Sequence, residues 1–399
     1  MCNMNVVLVE PRCAKTETSA LLTLATVMIC ASLSIVSSHS FASSVEGIAA
    51  FNGGRFDTAL KTLRPLADAD DSVAKCYVAR IFNAASGGVR RDSALTKQYA
   101  ESALRGLNTK ASEGDAAAQA CLSVLRSSTA YLSEPNQRIS LQLAKQAAEQ
   151  GNADGQRLLA DIYQRGIGVT RDYAQANLWL EKASRGGSIH AKRALLVALR
   201  NGWGVEKDAL SAALQFKSLA DSGDAFAQRE YAVTLRLGTG VPQNYAGARE
   251  WYERAAAQFD AWAQNDLGFL YENGYGVTSN AVLASEWYQR SADQGHSMAQ
   301  VNLGRLYLSG RGVFKNEVKG VEYIRASANQ YNARGQYFLG LSFERGVGVT
   351  ADAVQALGLY RKSAAQSDPD AAKAIKRLTG KAHDTVVNIE QIVESIGEN

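Results

Sequence analysis

Proline is scarce in this chain, five among 399 residues, so something else must end its helices; glycine, with 34, is available to do so. Cysteine is equally thin once position is considered. Cys2, Cys13 and Cys30 fall within the first 42 residues, leaving Cys76 and Cys121 beyond them. A disulfide scaffold is excluded, and the fold must hold by its own packing; the two thiols are either separate and buried or a single bridge. Charge of one sign is lacking too. Lys and Arg number 43 against 39 Asp and Glu, interspersed, a net +4 that is no footprint of a dedicated nucleic-acid binder. With 46% hydrophobic and 21% charged residues, general disorder is excluded as well. Beyond residue 42, His190, His296 and His383 are too far apart to form a helical metal pair, and nothing there resembles a transmembrane helix.

The first 42 residues read as an address. Arg12 and Lys15 precede an uncharged stretch from Ser19 to Ser38, apolar from Ala20 to Val36, and Ser40-Phe41-Ala42 places small residues where a signal peptidase reads. Cleavage after Ala42 is expected; an uncleaved anchor is the alternative, and both export the remainder of the chain. Met28-Ile29 ahead of Cys30 are not the small residues of a lipid-attachment signal.

What is there in abundance is periodicity. GIGV, GWGV, GTGV, GYGV, GRGV and GVGV begin at Gly166, Gly202, Gly238, Gly274, Gly310 and Gly346, each 36 residues after the last. Six units therefore run from Ala153 to Asp368. Asp172, Asp208, Asn244, Asn280, Asn316 and Asp352 share one column, and all are residues that cap a helix N-terminus. A small residue follows four positions later, then pairs such as Trp251/Tyr252 and Trp287/Tyr288, then small pairs such as Ala255-Ala256. These spacings draw one apolar stripe on a second helix. In the first helix, the columns headed by Leu159, Ala160 and Tyr163 draw another, ending at the first glycine, where a left-handed residue closes the helix without a Cβ penalty. Each unit is helix, glycine turn, capped helix, and it can bury both stripes only by stacking on its neighbours.

The pattern, fullest from Ala261 to Gly295, resembles the Sel-one-like repeat (SLR) family, relatives of the tetratricopeptide repeat (TPR). The resemblance implies an all-α fold, a right-handed α/α solenoid of SLR/TPR-like helix hairpins. The chain divides into a signal peptide (1–42), degenerate helical repeats (43–152), six 36-residue repeats (153–368) and C-terminal capping helices (369–399), the last including an amphipathic segment from Thr385 to Ile396. Asn136 and Asp92 are expected caps in the degenerate part, and Asn52-Gly53-Gly54 the turn of an opening hairpin. About nine layers at roughly 10 Å each predict a curved rod of about 90 Å.

Catalytic patterns do not assemble. The GxG strings follow helices rather than strands and lack a Gly-Lys-Ser/Thr ending, so they are turns and not phosphate cradles. Ser72 and Lys75 match the Ser-x-x-Lys spacing of penicillin-recognising enzymes without Ser-Asp-Asn or Lys-Thr-Gly to accompany it. Neither a catalytic residue, a cofactor nor a metal is assigned. The informative columns lie on the opposite face of the first helix, which lines the groove in related solenoids. They contain Arg157, Arg193, Arg200, Arg229 and Arg236, then Asn265, Phe269, Glu272, Arg305 and Tyr337. That face is either merely solvated or a groove for an acidic or extended peptide, or an acidic glycan.

The resulting expectation is an exported, non-enzymatic solenoid, periplasmic or secreted, that captures a protein or peptide partner. As an adaptor it would be an envelope scaffold, a signalling regulator or an exopolysaccharide-related protein; alternatives are a secretion-associated immunity or host-interaction factor and a β-lactam-binding or hydrolase-like member of the family. The last is tested directly. The protein is expected to leave nitrocefin intact, and turnover abolished by Ser72→Ala would establish the hydrolase class instead.

Overall fold

A carboxylate, amide or hydroxyl oxygen opens nearly every helix, and a left-handed glycine closes every first helix of a 36-residue unit. In the computed structural model, which describes residues 43–380 apart from 85–88 and 90, the elements are nineteen α-helices. They are α1 (43–52), α2 (Phe56–Asp68), α3 (Ser72–Ala84), α4 (Ser93–Ser112), α5 (Ala116–Ser127) and α6 (Gln137–Glu149). The six regular units come next, as α7 (Ala153–Arg165) and α8 (Tyr173–Arg185), α9 (Ile189–Asn201) and α10 (Ala209–Asp221), α11 (Ala225–Leu237) and α12 (Tyr245–Ala257). After them stand α13 (Ala261–Asn273) and α14 (Ala281–Asp293), α15 (Ser297–Ser309) and α16 (Glu317–Asn329), α17 (Ala333–Arg345) and α18 (Ala353–Ala364), and α19 (369–380) begins one further first helix. Successive helices pack on one another throughout, as an α-solenoid requires. The expected signal peptide and the segment from Thr385 to Ile396 lie outside the described residues.

Local chemistry accounts for the boundaries. Each second-helix cap column member accepts the amide two or three residues on, as Asn244 does from Gly247 at 2.8 Å. Asn136 and Asp92 cap α6 and α4 in the same way. A second column, Asn152, Ser188, Asp224, Asp260, His296 and Asn332, caps the first helices. Gly274, at φ 75°, closes α13 in the left-handed region. The second glycine of GxGV, from Gly204 to Gly348, has a further reason. A Cβ on Gly276 would stand 2.7 Å from the Tyr245 carbonyl carbon of the preceding unit, so only glycine lets successive layers meet.

Burial tracks the two stripes. Tyr252, Tyr288, Phe216 and Tyr360 are fully buried, while Trp179, Trp251 and Trp287 are half-buried under Lys182, Arg254 and Arg290. The aromatic ladder is therefore packing. Gly268 lets the Tyr288 ring lie against α13, where a Cβ would come within 2.6 Å of it. In α9 the same column holds Leu196, and α9 and α10 pack less closely than the other hairpins.

The expected curved rod is modified at residues 50–132. Residues 50 to 132 share one core, which continues the stack into α7 and also reaches across to later units. Phe51 and Phe56 sit against the His190 ring of α9, at centroid separations of 5.8 and 5.7 Å, and Arg91 reaches Gly295. Arg80 of α3, 4% exposed, pairs with Asp154 of α7, 2% exposed, which also receives Arg157 at 3.1 Å and the Tyr77 hydroxyl at 3.3 Å. Burial alone would raise the Asp154 carboxyl, but Arg80 and Arg157 outweigh it and hold it well below the usual carboxylate range. Asp154→Ala, which strands the buried Arg80, is expected to cost about 3–5 kcal/mol in urea unfolding. A loss below about 1 kcal/mol would show that this pair does not fasten the N-terminal units.

Candidate functional site

Three successive first helices, α11, α13 and α15, expose neighbouring positions on the inner face because the 36-residue register superimposes their columns. Between them lies a cavity of about 470 Å³. Its lining includes Arg236, Asn265, Phe269, Glu272 and Arg305, so the structure brings together half of the residues singled out in the sequence; Asp266, Asn273, Tyr288, Met298 and Asn302 complete the wall. Asn302 donates to Asn265 Oδ1 at 3.1 Å, and the Tyr288 hydroxyl donates to Glu272 Oε2 at 2.9 Å. Arg311 approaches Glu272 from outside at 3.4 Å. The Asp266 carboxyl is pushed up by burial against the pull of Arg236, whose Nε donates to the Tyr252 hydroxyl at 3.1 Å. Phe269, 36% exposed, supplies an apolar surface beside Tyr275. The cavity thus offers side-chain amides, a free aromatic edge and the guanidinium of Arg305, which leans over Phe338 at 5.6 Å.

The other arginines do not form an open basic stripe. Arg193 donates through Nε and Nη2 to Asp224 Oδ2, at 3.0 and 2.5 Å, and Arg200 donates to Glu230 at 2.7 Å. Arg229 pairs with Glu230 at 3.1 Å and faces Asp260 at 3.6 Å, while Arg157 is held by Asp154. Side-chain exposures of 12, 14, 14 and 25% for Arg193, Arg200, Arg229 and Arg157 place these charges between layers, already neutralised. Asp224 and Asp260 each serve twice, capping a first helix with one oxygen and facing an arginine of the preceding unit with the other. The sequence carries the signal for two of them, an aspartate 31 residues after Arg193 and after Arg229. Tyr337 lies apart, packed against Phe338 and Tyr360 under Arg334.

A second inter-layer device is a glutamine ladder. Gln150, Gln258, Gln294, Gln330 and Gln366 donate to Gln119, Gln228, Gln264, Gln300 and Gln336 at 2.7 to 2.9 Å, each about thirty residues earlier. The first-helix glutamines are buried and belong to this ladder as well as to the packing stripe. Elsewhere, Ser72 Oγ is buried with no partner among the described residues, and Lys75 is engaged by Asp70, so Ser72 and Lys75 do not form a nucleophile and base. Cys76 and Cys121 are buried free thiols, and Cys121 lies against Cys76. No cluster of metal-ligating side chains occurs among the described residues, where no helix is long and apolar enough to cross a membrane. His383 lies outside them.

Capped hairpins in a fixed register, with a cavity made by successive first helices, define the molecule as a helical-repeat protein. The Sel1 repeat family model matches residues 129–152, 153–188, 225–258, 263–296, 297–332 and 333–368, half of the sequence, and the chain belongs to the Sel1 repeat family. Residues 189–224, which keep the 36-residue register and the helix boundaries, are not matched, and 129–152 extend the match into the degenerate part. Among solved structures, a Sel1 repeat protein from Oxalobacter formigenes is similar at 28% identity over 80% of this chain and 90% of that one, TM-score 0.49. A protective antigen of uropathogenic Escherichia coli with an SLR fold has 27% identity over 87% and 81%, TM-score 0.39. An immunity protein from Pseudomonas aeruginosa, Pa5087, has 22% identity over 51% and 80%, TM-score 0.39. Comparison with curated proteins returned no match.

The unmatched unit is the one against which the opening hairpin folds, and its His190 makes that contact titratable. Burial, helped by Arg157 and Arg193 and opposed by Asp154, lowers the His190 pKa to about 3. The unfolded chain takes up the proton first as pH falls below about 6.5, so this stabilisation is complete above that pH and is lost progressively down to about 3. Between pH 7.5 and 5, the protein is expected to lose about 2 kcal/mol more than His190→Phe in urea unfolding. Equal losses would mean that the imidazole is not held neutral in this contact.

Proposed function

We propose that this Sel1 repeat protein is an exported, non-enzymatic adaptor of a bacterial envelope that captures a protein partner in the cavity of α11, α13 and α15. The observation that carries the reading is the cavity itself, built from Asn265, Phe269, Asn302 and Arg305 at positions that differ from unit to unit while the packing columns agree. Side-chain amides offer donors and acceptors to a peptide backbone, Phe269 offers an apolar anchor, and Arg305 offers a charge-assisted contact to an acidic side chain. Export rests on the composition of residues 1–42. Within the envelope, the role is that of a scaffold or signalling regulator, with an exopolysaccharide-related adaptor as one form of it.

Affinity capture from the native envelope tests the reading when the native chain is compared with Phe269→Ala/Arg305→Glu. Both side chains are partly exposed, so the variant is expected to keep its melting temperature while retaining at least tenfold less partner. Substituting Arg193, Arg200 and Arg229 would not be a clean test, because their ion pairs join layers. An unchanged captured set from the cavity variant contradicts the proposal.

A further inference from the structure

A second cavity, about 370 Å³, lies where the N-terminal units reach the starts of α13 and α15. It is separate from the inner-face cavity. One wall carries Arg91, and the other carries Phe226, Arg229, Trp262 and His296. His296 occupies the cap column that holds Asn152 and Asn332 in other units, and its Nδ1 accepts the Ala299 amide at 3.3 Å. The ring proton is therefore on Nε2. That nitrogen is buried with no acceptor among the described residues, in a side chain belonging to a residue only 9% exposed. Arg229 Nε is a second buried donor without a hydrogen-bond partner among those residues. His296 and Arg229 both line the cavity; His296 Nε2 lacks an acceptor among the described residues, and Arg229 Nε stands 3.6 Å from Asp260 Oδ2, beyond hydrogen-bond distance, so an acceptor oxygen reaching this corner would satisfy both.

The surroundings narrow the ligand. Arg229 is balanced by Glu230 and Asp260, and burial beside Arg229 keeps His296 neutral, with a pKa lowered to about 4. The donors thus favour a polar acceptor without demanding a strong counter-charge. Trp262, 58% exposed, stands edge-on to His296 at 4.3 Å and leaves a broad aromatic surface open. Along the same ridge of inter-unit turns, Phe259 and Tyr331 are 50% and 79% exposed at φ 64° and 59°. Glycine fills that left-handed position at 114, 151, 187, 223 and 295. Exposed aromatic rings beside a neutral imidazole, a charge-balanced guanidinium and planar amides such as Gln294 and Gln330 match the C–H faces and oxygen acceptors of a sugar ring.

We propose that this cavity binds a glycan chain, one sugar stacking on Trp262 while its acetamido or carboxylate oxygen accepts from His296 Nε2–H and Arg229 Nε–H. The purified protein is titrated calorimetrically with chitotetraose, tetragalacturonate and cellotetraose, the last lacking both acceptor groups. The acetylated or the carboxylated oligomer is expected to bind saturably, at least tenfold more tightly than cellotetraose, and the stronger of the two identifies the acceptor. Trp262→Ala is expected to weaken that binding at least tenfold. His296→Asn, which preserves the cap with the residue used in other units, is expected to erase the preference over cellotetraose without lowering the melting temperature. Absence of saturable binding by all three oligomers, or binding indifferent to both substitutions, overturns the proposal. A proline-rich decapeptide that binds through Trp262 while the oligomers do not would also overturn it, assigning the site to peptide.

Discussion

Everything in this molecule depends on the close approach of one unit's glycine turn to the start of the second helix in the unit before. At Gly276 against Tyr245, and at Gly240 against Ala209, there is no room for a Cβ, so the stacking distance is set by backbone against backbone. A fixed distance repeated every 36 residues superimposes columns. Caps fall over caps, glutamine meets glutamine thirty residues on, and tyrosine fills the space left by Gly268 or Gly340. The fold is a one-dimensional stack in which each layer is stabilised mainly by its neighbours.

The same register explains why the inner face is less basic than its sequence implies. Arg193 and Arg229 reach the cap residue of the next unit, so charges that could have met a ligand meet Asp224 and Asp260 instead. What stays open is the stretch where the arginine column changes identity, at Asn265, and the neighbouring columns present Phe269 and Arg305. Stacking and the proposed recognition therefore draw on one face, and in α11 on one helix, where Arg229 pairs with Glu230 and Asp260 while Arg236 lines the cavity.

Legibility in the sequence tracked periodicity. Helix boundaries, glycine closures and the packing of the Trp-Tyr columns were readable because six copies report the same environment. The ion pairs were harder to read because their partners sit 30 or 31 residues apart and are interrupted by substitutions such as His296. The fold-back of Phe51 and Phe56 onto His190 was not readable at all: it joins positions 139 residues apart and happens once. The unit it meets, 189–224, is not matched by the family model and carries Leu196 where neighbours have alanine or glycine, but Leu196 packs on Phe216, Ala220 and Ala227 and not on the opening hairpin.

The proposed function separates a stacking machinery, spread over all layers, from a protein-binding surface on α11, α13 and α15. Hydrogen exchange across the whole chain, measured with and without the captured partner, tests that separation most directly. Added protection is expected to concentrate in residues 225–309, in the first helices, with little change in α8, α10 and α18. Protection confined to the second helices, or spread evenly over every unit, would contradict it.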